Sequence, residues 1–65
     1  MVYIVVIATP GIKDSDTEYI YNNKIKAFTV AKQYVSCHGC ELDIKVYDAI
    51  NEYTNKRHLL KQYWY

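Results

Sequence analysis

Cys37 and Cys40, in the run Cys37-His38-Gly39-Cys40, have the spacing of one half of a tetrahedral zinc site. His38 or His58 could add a third ligand, but a closed structural site takes four, and the chain holds no second cysteine pair. Two copies related by a twofold axis could complete a four-cysteine site. Redox chemistry matches less well. Reactive CxxC pairs open a helix, whose positive end lowers the thiol pKa, whereas Cys37 stands where a helix is expected to close. The expectation is two inert thiols and no cofactor, with a zinc-linked dimer through Cys37 and Cys40 as the alternative. Asp14, Asp16 and Glu18 alternate as at the start of a calcium loop but lack its glycine and closing glutamate, which leaves a solvated loop. There is no GxSxG, no P-loop and no HExxH, and neither histidine has neighbours in sequence that would orient it. No catalytic residue is therefore assigned, and the chain is not expected to be an enzyme.

Tyrosine is the enrichment that asks for an explanation: eight tyrosines, one tryptophan and one phenylalanine among 65 residues exceed the aromatic area that so small a core can enclose. Tyrosine gives wide contact area at low entropy cost and ends in a hydroxyl that tolerates water, which suits it to interfaces. Tyr3, Tyr34 and Tyr47 can edge a core. Tyr19, Tyr21, Tyr53, Tyr63, Trp64 and Tyr65 are harder to hide and form the candidate partner interface. The surplus apolar area also predicts self-association as a homodimer.

Lys24, Lys26, Lys32, Lys56 and Arg57 are candidate nucleic-acid contacts, because lysines beside aromatic faces can hold phosphates while bases stack. Against that reading, eight basic and seven acidic residues leave a net charge of +1. This is neither an acidic DNA mimic nor a basic nucleic-acid coat, and no RRM or helix-turn-helix signature is present.

The elements that must position these residues follow from pattern. Val2-Tyr3-Ile4-Val5-Val6-Ile7-Ala8-Thr9 runs through β-branched residues until Pro10-Gly11 and reads as a strand buried on both faces, hence central. Thr17-Glu18-Tyr19-Ile20-Tyr21 alternates, with Tyr19 and Tyr21 on one face and Ile20 on the other. Asn23 caps a helix whose inner arc is Ala27, Phe28, Ala31, Tyr34 and Val35, and Gly39 terminates it. Leu42, Ile44 and Val46 alternate with charged neighbours in the clearest half-buried strand. In the last fifteen residues the spacing of Tyr53, Leu59, Leu60, Tyr63 and Trp64, with Asn51 as cap, favours a helix. The alternative is a turn near Thr54-Asn55-Lys56 and a fourth strand. The expected fold is a single α+β domain over residues 1 to 65: a small antiparallel sheet of about three strands packed by one helix, one sheet face of which could remain uncovered.

With 51% hydrophobic and 23% charged residues, two glycines and one proline, the chain is expected to fold rather than remain disordered. The apolar run from Val2 to Ala8 is too short to span a bilayer and has no basic leader or cleavage site, so the chain is expected in the cytoplasm and off the membrane.

From Thr17 to Ile50 the layout resembles short accessory proteins of bacteriophages. There a strand leads through Asn-Lys into a lysine-rich helix with alanine and tyrosine inside, ends near His-Gly and returns as an alternating strand. The matching residues are Asn23-Lys24, Ala27, Ala31, Tyr34, Val35, His38-Gly39 and Leu42, Ile44, Val46. The resemblance implies a small viral protein of the host-cell cytoplasm that binds and inhibits a host enzyme or defence complex by steric occlusion. A small nucleic-acid-binding regulator is the second reading.

The thiols carry the first testable outcome. Replacing Cys37 and Cys40 together by Ser is expected to leave urea-denaturation stability nearly unchanged. A loss above about 3 kcal/mol, or zinc bound one per chain or per chain pair, would show a structural metal site instead.

Overall fold

A computed structural model describes residues 1–12, 16–38 and 42–63. Strand β1 spans Val2–Ala8 and ends in a tight turn in which the Ile12 N–H donates to the Thr9 carbonyl at 3.1 Å. Pro10 supplies the fixed φ of the second turn position and Gly11, at φ 84°, the left-handed third, the arrangement of a type II turn. Strand β2, Thr17–Tyr21, returns antiparallel to β1. Asn23 then starts helix α1, Lys24–His38: its Oδ1 accepts from the N–H groups of Ile25 at 2.8 Å and Lys26 at 3.2 Å, filling two of the helix's unpaired donors. Gly39, expected to end this helix, lies outside the described residues. Strand β3, Asp43–Ala49, pairs antiparallel with the other side of β1, and β4, His58–Tyr63, pairs antiparallel with β3.

The sheet order is therefore β2-β1-β3-β4. β2 and β3 run parallel to each other with β1 inserted antiparallel between them, and α1 crosses from one to the other over a single sheet face, where it packs on β1, β2 and β3. The core lies between helix and sheet: Val5 and Ile7 from β1, Ile44 and Val46 from β3, Ala27 and Ala31 from α1. The two alanines let the helix axis approach the sheet closely. The larger Phe28, Tyr34 and Val35 fill the flanks, and Tyr3, Tyr21, Leu42, Leu60 and Tyr63 close the margin. No polar side chain is buried among the described residues.

The α+β class, the central position of β1, the helix start and its inner face are as the sequence leads one to expect. The C-terminal segment takes the alternative reading, a fourth strand rather than a helix. The physical reason is a β-bulge. Tyr47 pairs with Leu59 and Val46 with Lys61, so Leu60 is an extra residue with no partner of its own. The bulge lets Leu60 and Tyr63, three apart, both pack against the core, while Leu59 faces the other way. In sequence this reproduces the spacing of a helical face, which strict alternation forbids. Asn51 does act as a cap, but of a turn: its Oδ1 accepts from the N–H groups of Tyr53 at 2.9 Å and Thr54 at 3.1 Å. The Thr54 hydroxyl in turn accepts from the Lys56 N–H at 3.1 Å, fixing the β3–β4 connection.

The result is a flat molecule, 30 × 25 × 14 Å across its Cα atoms, with 4740 Å² of accessible surface.

Ile44 sits fully buried against the helix, so Ile44→Ala should lower unfolding free energy by about 2–5 kcal/mol, enough to unfold much of so small a domain. Ile25 is 76% exposed on the outer side of α1, and nothing in the structure explains an isoleucine there. Ile25→Ala should shift the urea midpoint by no more than about 0.5 kcal/mol equivalent.

Candidate protein-binding face

Because successive residues of a strand point to opposite sides, the positions that do not meet α1 collect on the other face of the sheet. There the pairings Ile4↔Ile20, Ile4↔Tyr47 and Tyr47↔Leu59 place Ile20, Ile4, Tyr47 and Leu59 side by side across all four strands. Val2 and Ala49, paired with each other, extend this apolar row toward one end of the sheet. Toward the other end come Glu18, Val6, Lys45 and Gln62, where Lys45 lies 3.9 Å from Asp43 and the Gln62 amide donates to Asp43 Oδ1 at 3.2 Å. The face is thus apolar at one end and charged at the other. No element covers it among the described residues.

Its centre is nevertheless dry. Ile4 has no accessible surface, while Ile20 and Leu59 at the two edges of the row are 42% and 45% exposed. The closure comes from side chains. Arg57, the residue before β4, places its Nη2 2.9 Å from Glu18 Oε1 on β2, and these two positions belong to opposite edges of the sheet. Glu18 points away from the helix, so the pair can close only across the uncovered face, over β1 and β3. The hydrogen bond to Glu18 raises the Arg57 pKa above its ordinary value, against the opposing effect of desolvation, and keeps the guanidinium charged at any working pH.

The residues singled out from sequence fall into several places. Tyr19 and Tyr21 share one face of β2, as the alternation requires, and it is the helix side. Tyr21 packs against the core with the Lys26 ammonium 5.8 Å from its ring centre. The Tyr19 ring lies 6.2 Å from that of Tyr34 at a tilt of 30°, with the two hydroxyls 3.5 Å apart. That contact with Tyr19 is the main cause that pushes the Tyr34 phenol above the usual tyrosine range, so Tyr34 remains a neutral donor. Tyr63 packs on the helix-side core opposite Ile44, with the Lys61 ammonium 5.5 Å from its ring. Tyr53 stands 86% exposed in the β3–β4 connection. Trp64 and Tyr65 lie outside the described residues.

The basic candidates do not converge. At 100° per residue Lys26 and Lys32 fall on opposite flanks of the outer side of α1, and Lys24 sits in its first turn. Lys56 is exposed in the β3–β4 connection, and Arg57 is engaged by Glu18. Cys40 lies outside the described residues, as does the side chain of Cys37. No group of three metal-binding side chains forms among the described residues. Sequence reasoning missed the row Ile20, Ile4, Tyr47, Leu59, which needs the strand register, although the alternation about Ile20 already turned that side chain away from its tyrosine neighbours. Comparison with protein-family models, curated proteins and solved structures finds no match to this chain.

The pair across the face is partly exposed and therefore screened. A double-mutant cycle on Arg57→Ala and Glu18→Ala should give a coupling of about 0.5–1 kcal/mol at low salt that shrinks markedly in 1 M NaCl. A coupling below about 0.2 kcal/mol at low salt would show that the two side chains do not meet in solution.

Proposed function

We propose that this chain is a small non-enzymatic protein-binding module that acts by covering a surface of its partner. The observation that carries the reading is the apolar row across four strands on the sheet face that no element covers. An apolar surface of this kind, rimmed by polar and charged side chains, is the usual form of a protein-interaction site. Rigidity favours it too. The row sits on a hydrogen-bonded sheet, so little conformational freedom is lost on docking. Tyr47 lies between Ile4 and Leu59 in the row, and Ile20 and Leu59 at its two edges are the apolar residues most open to a partner. The likeness to short phage accessory proteins supplies the partner class, a host enzyme or defence complex whose working surface would be occluded.

The nucleic-acid reading loses support from the scattered lysines and from the engagement of Arg57 with Glu18. The test compares the wild type with Leu59→Lys, which puts a charge on the uncovered face far from the core. Both proteins, shown by circular dichroism to melt alike, are immobilised and exposed to bacterial lysate, and separately titrated with short DNA and RNA at low salt. The expected result is a retained protein whose affinity falls about 30-fold in Leu59→Lys, and no nucleic-acid binding. Equal retention by both forms, or salt-sensitive nucleic-acid binding, contradicts the proposal.

A further inference from the structure

The sheet has two edges, and they are built differently. β4 carries a bulge at Leu60 and exposes His58 and Lys61, devices that keep an edge strand from pairing with another chain. β2 has neither. Its residues Thr17–Tyr21 pair with β1 in unbroken register, include no lysine or proline, and are exposed at every position but the last. Among the described residues nothing pairs with its outer side. A regular edge of this kind presents a row of outward N–H and C=O groups whose geometry is completed by one more extended strand.

We infer that β2 is a homodimer interface, pairing antiparallel with β2 of a second copy about a twofold axis at Ile20 to make one eight-stranded sheet. The choice of occupant and register comes from the side chains. Residues directly opposite in an antiparallel pair share a face and interact, so like charges there are unfavourable and apolar or aromatic pairs favourable. An axis at Glu18 would set it against the partner's Glu18. An axis at Tyr19 would set Glu18 against the partner's Ile20. An axis at Ile20 pairs it with the partner's Ile20, Tyr19 with the partner's Tyr21, and Glu18 with the partner's Asn22, so every position meets its like in polarity and no charge meets its own sign. The row Leu59, Tyr47, Ile4, Ile20 then continues without a break into its copy, and both helices lie on the same side of the joint sheet. The twofold symmetry makes the strand its own complement.

This inference does not depend on the uncovered face being a binding site, and the two fail separately. Sedimentation equilibrium of wild type, Ile20→Lys and Leu59→Lys is the test. The wild type should be dimeric at micromolar concentration. Ile20→Lys, which sets lysine against lysine across the axis, should be monomeric under the same conditions, and Leu59→Lys should remain dimeric. A monomeric wild type up to millimolar concentration, a dimeric Ile20→Lys, or a monomeric Leu59→Lys would each overturn the β2 interface. If Ile20→Lys does not fold, amide hydrogen exchange of the wild type decides. Amides of Thr17–Tyr21 should exchange more slowly at high than at low protein concentration while those of β4 do not change. Equal exchange at both concentrations overturns it.

Discussion

One helix can cover one face of a sheet, and most features of this protein follow from that limit. A helix is about 10 Å across with its side chains, while strands lie about 4.8 Å apart, so α1 lies over three strands of four and leaves the far face with no layer at all. A 65-residue chain has no second helix among its described elements to close that face. Burial there must come from the strands' own side chains. Ile4, inaccessible to water though turned away from the helix, shows that it does.

The closure combines two kinds of interaction with different behaviour. The apolar row is not screened by salt as an ion pair is. The Arg57–Glu18 pair is directional and reaches from the start of β4 to β2, tying the sheet's edges together over its uncovered face. Being partly solvated, it contributes little stability. Its consequence is positional: it draws the guanidinium across the uncovered face to Glu18. The face thus offers apolar groups at one end and charges at the other, an asymmetry that would favour one orientation of a docked surface.

Much of the fold was legible in the sequence because local rules and tertiary demands agree. Pro10-Gly11 stops β1 because the turn needs a left-handed third residue, Asn23 caps α1 through its side-chain oxygen, and Ala27 and Ala31 lie inside where only small residues admit close approach. The C-terminal segment was read less well for an equally local reason. A bulge adds one residue to β4, and one residue turns the period of a strand into the spacing of a helix. The apolar row was hidden for a different reason. Ile20, Ile4, Tyr47 and Leu59 are far apart in sequence, and only the register of three strand pairings places them together. Tyrosine count drew attention to Tyr19, Tyr21 and Tyr63; the helix-side core uses part of the area of Tyr21 and Tyr63, and Tyr19 packs against Tyr34.

The face opposite α1 is apolar and open to solvent at Ile20 and Leu59 on its two edges and shielded at Ile4 and Ala49 on the two central strands. Methyl-resolved NMR with a soluble paramagnetic probe, on protein dilute enough to be monomeric, measures this residue by residue. The methyls of Leu59 and Ile20 should be strongly relaxed by the probe, while those of Ile4, Val5 and Val46 are barely affected. Leu59 and Ile20 methyls as protected as those of Val5 would contradict the account, since another part of the chain would then already occupy the face.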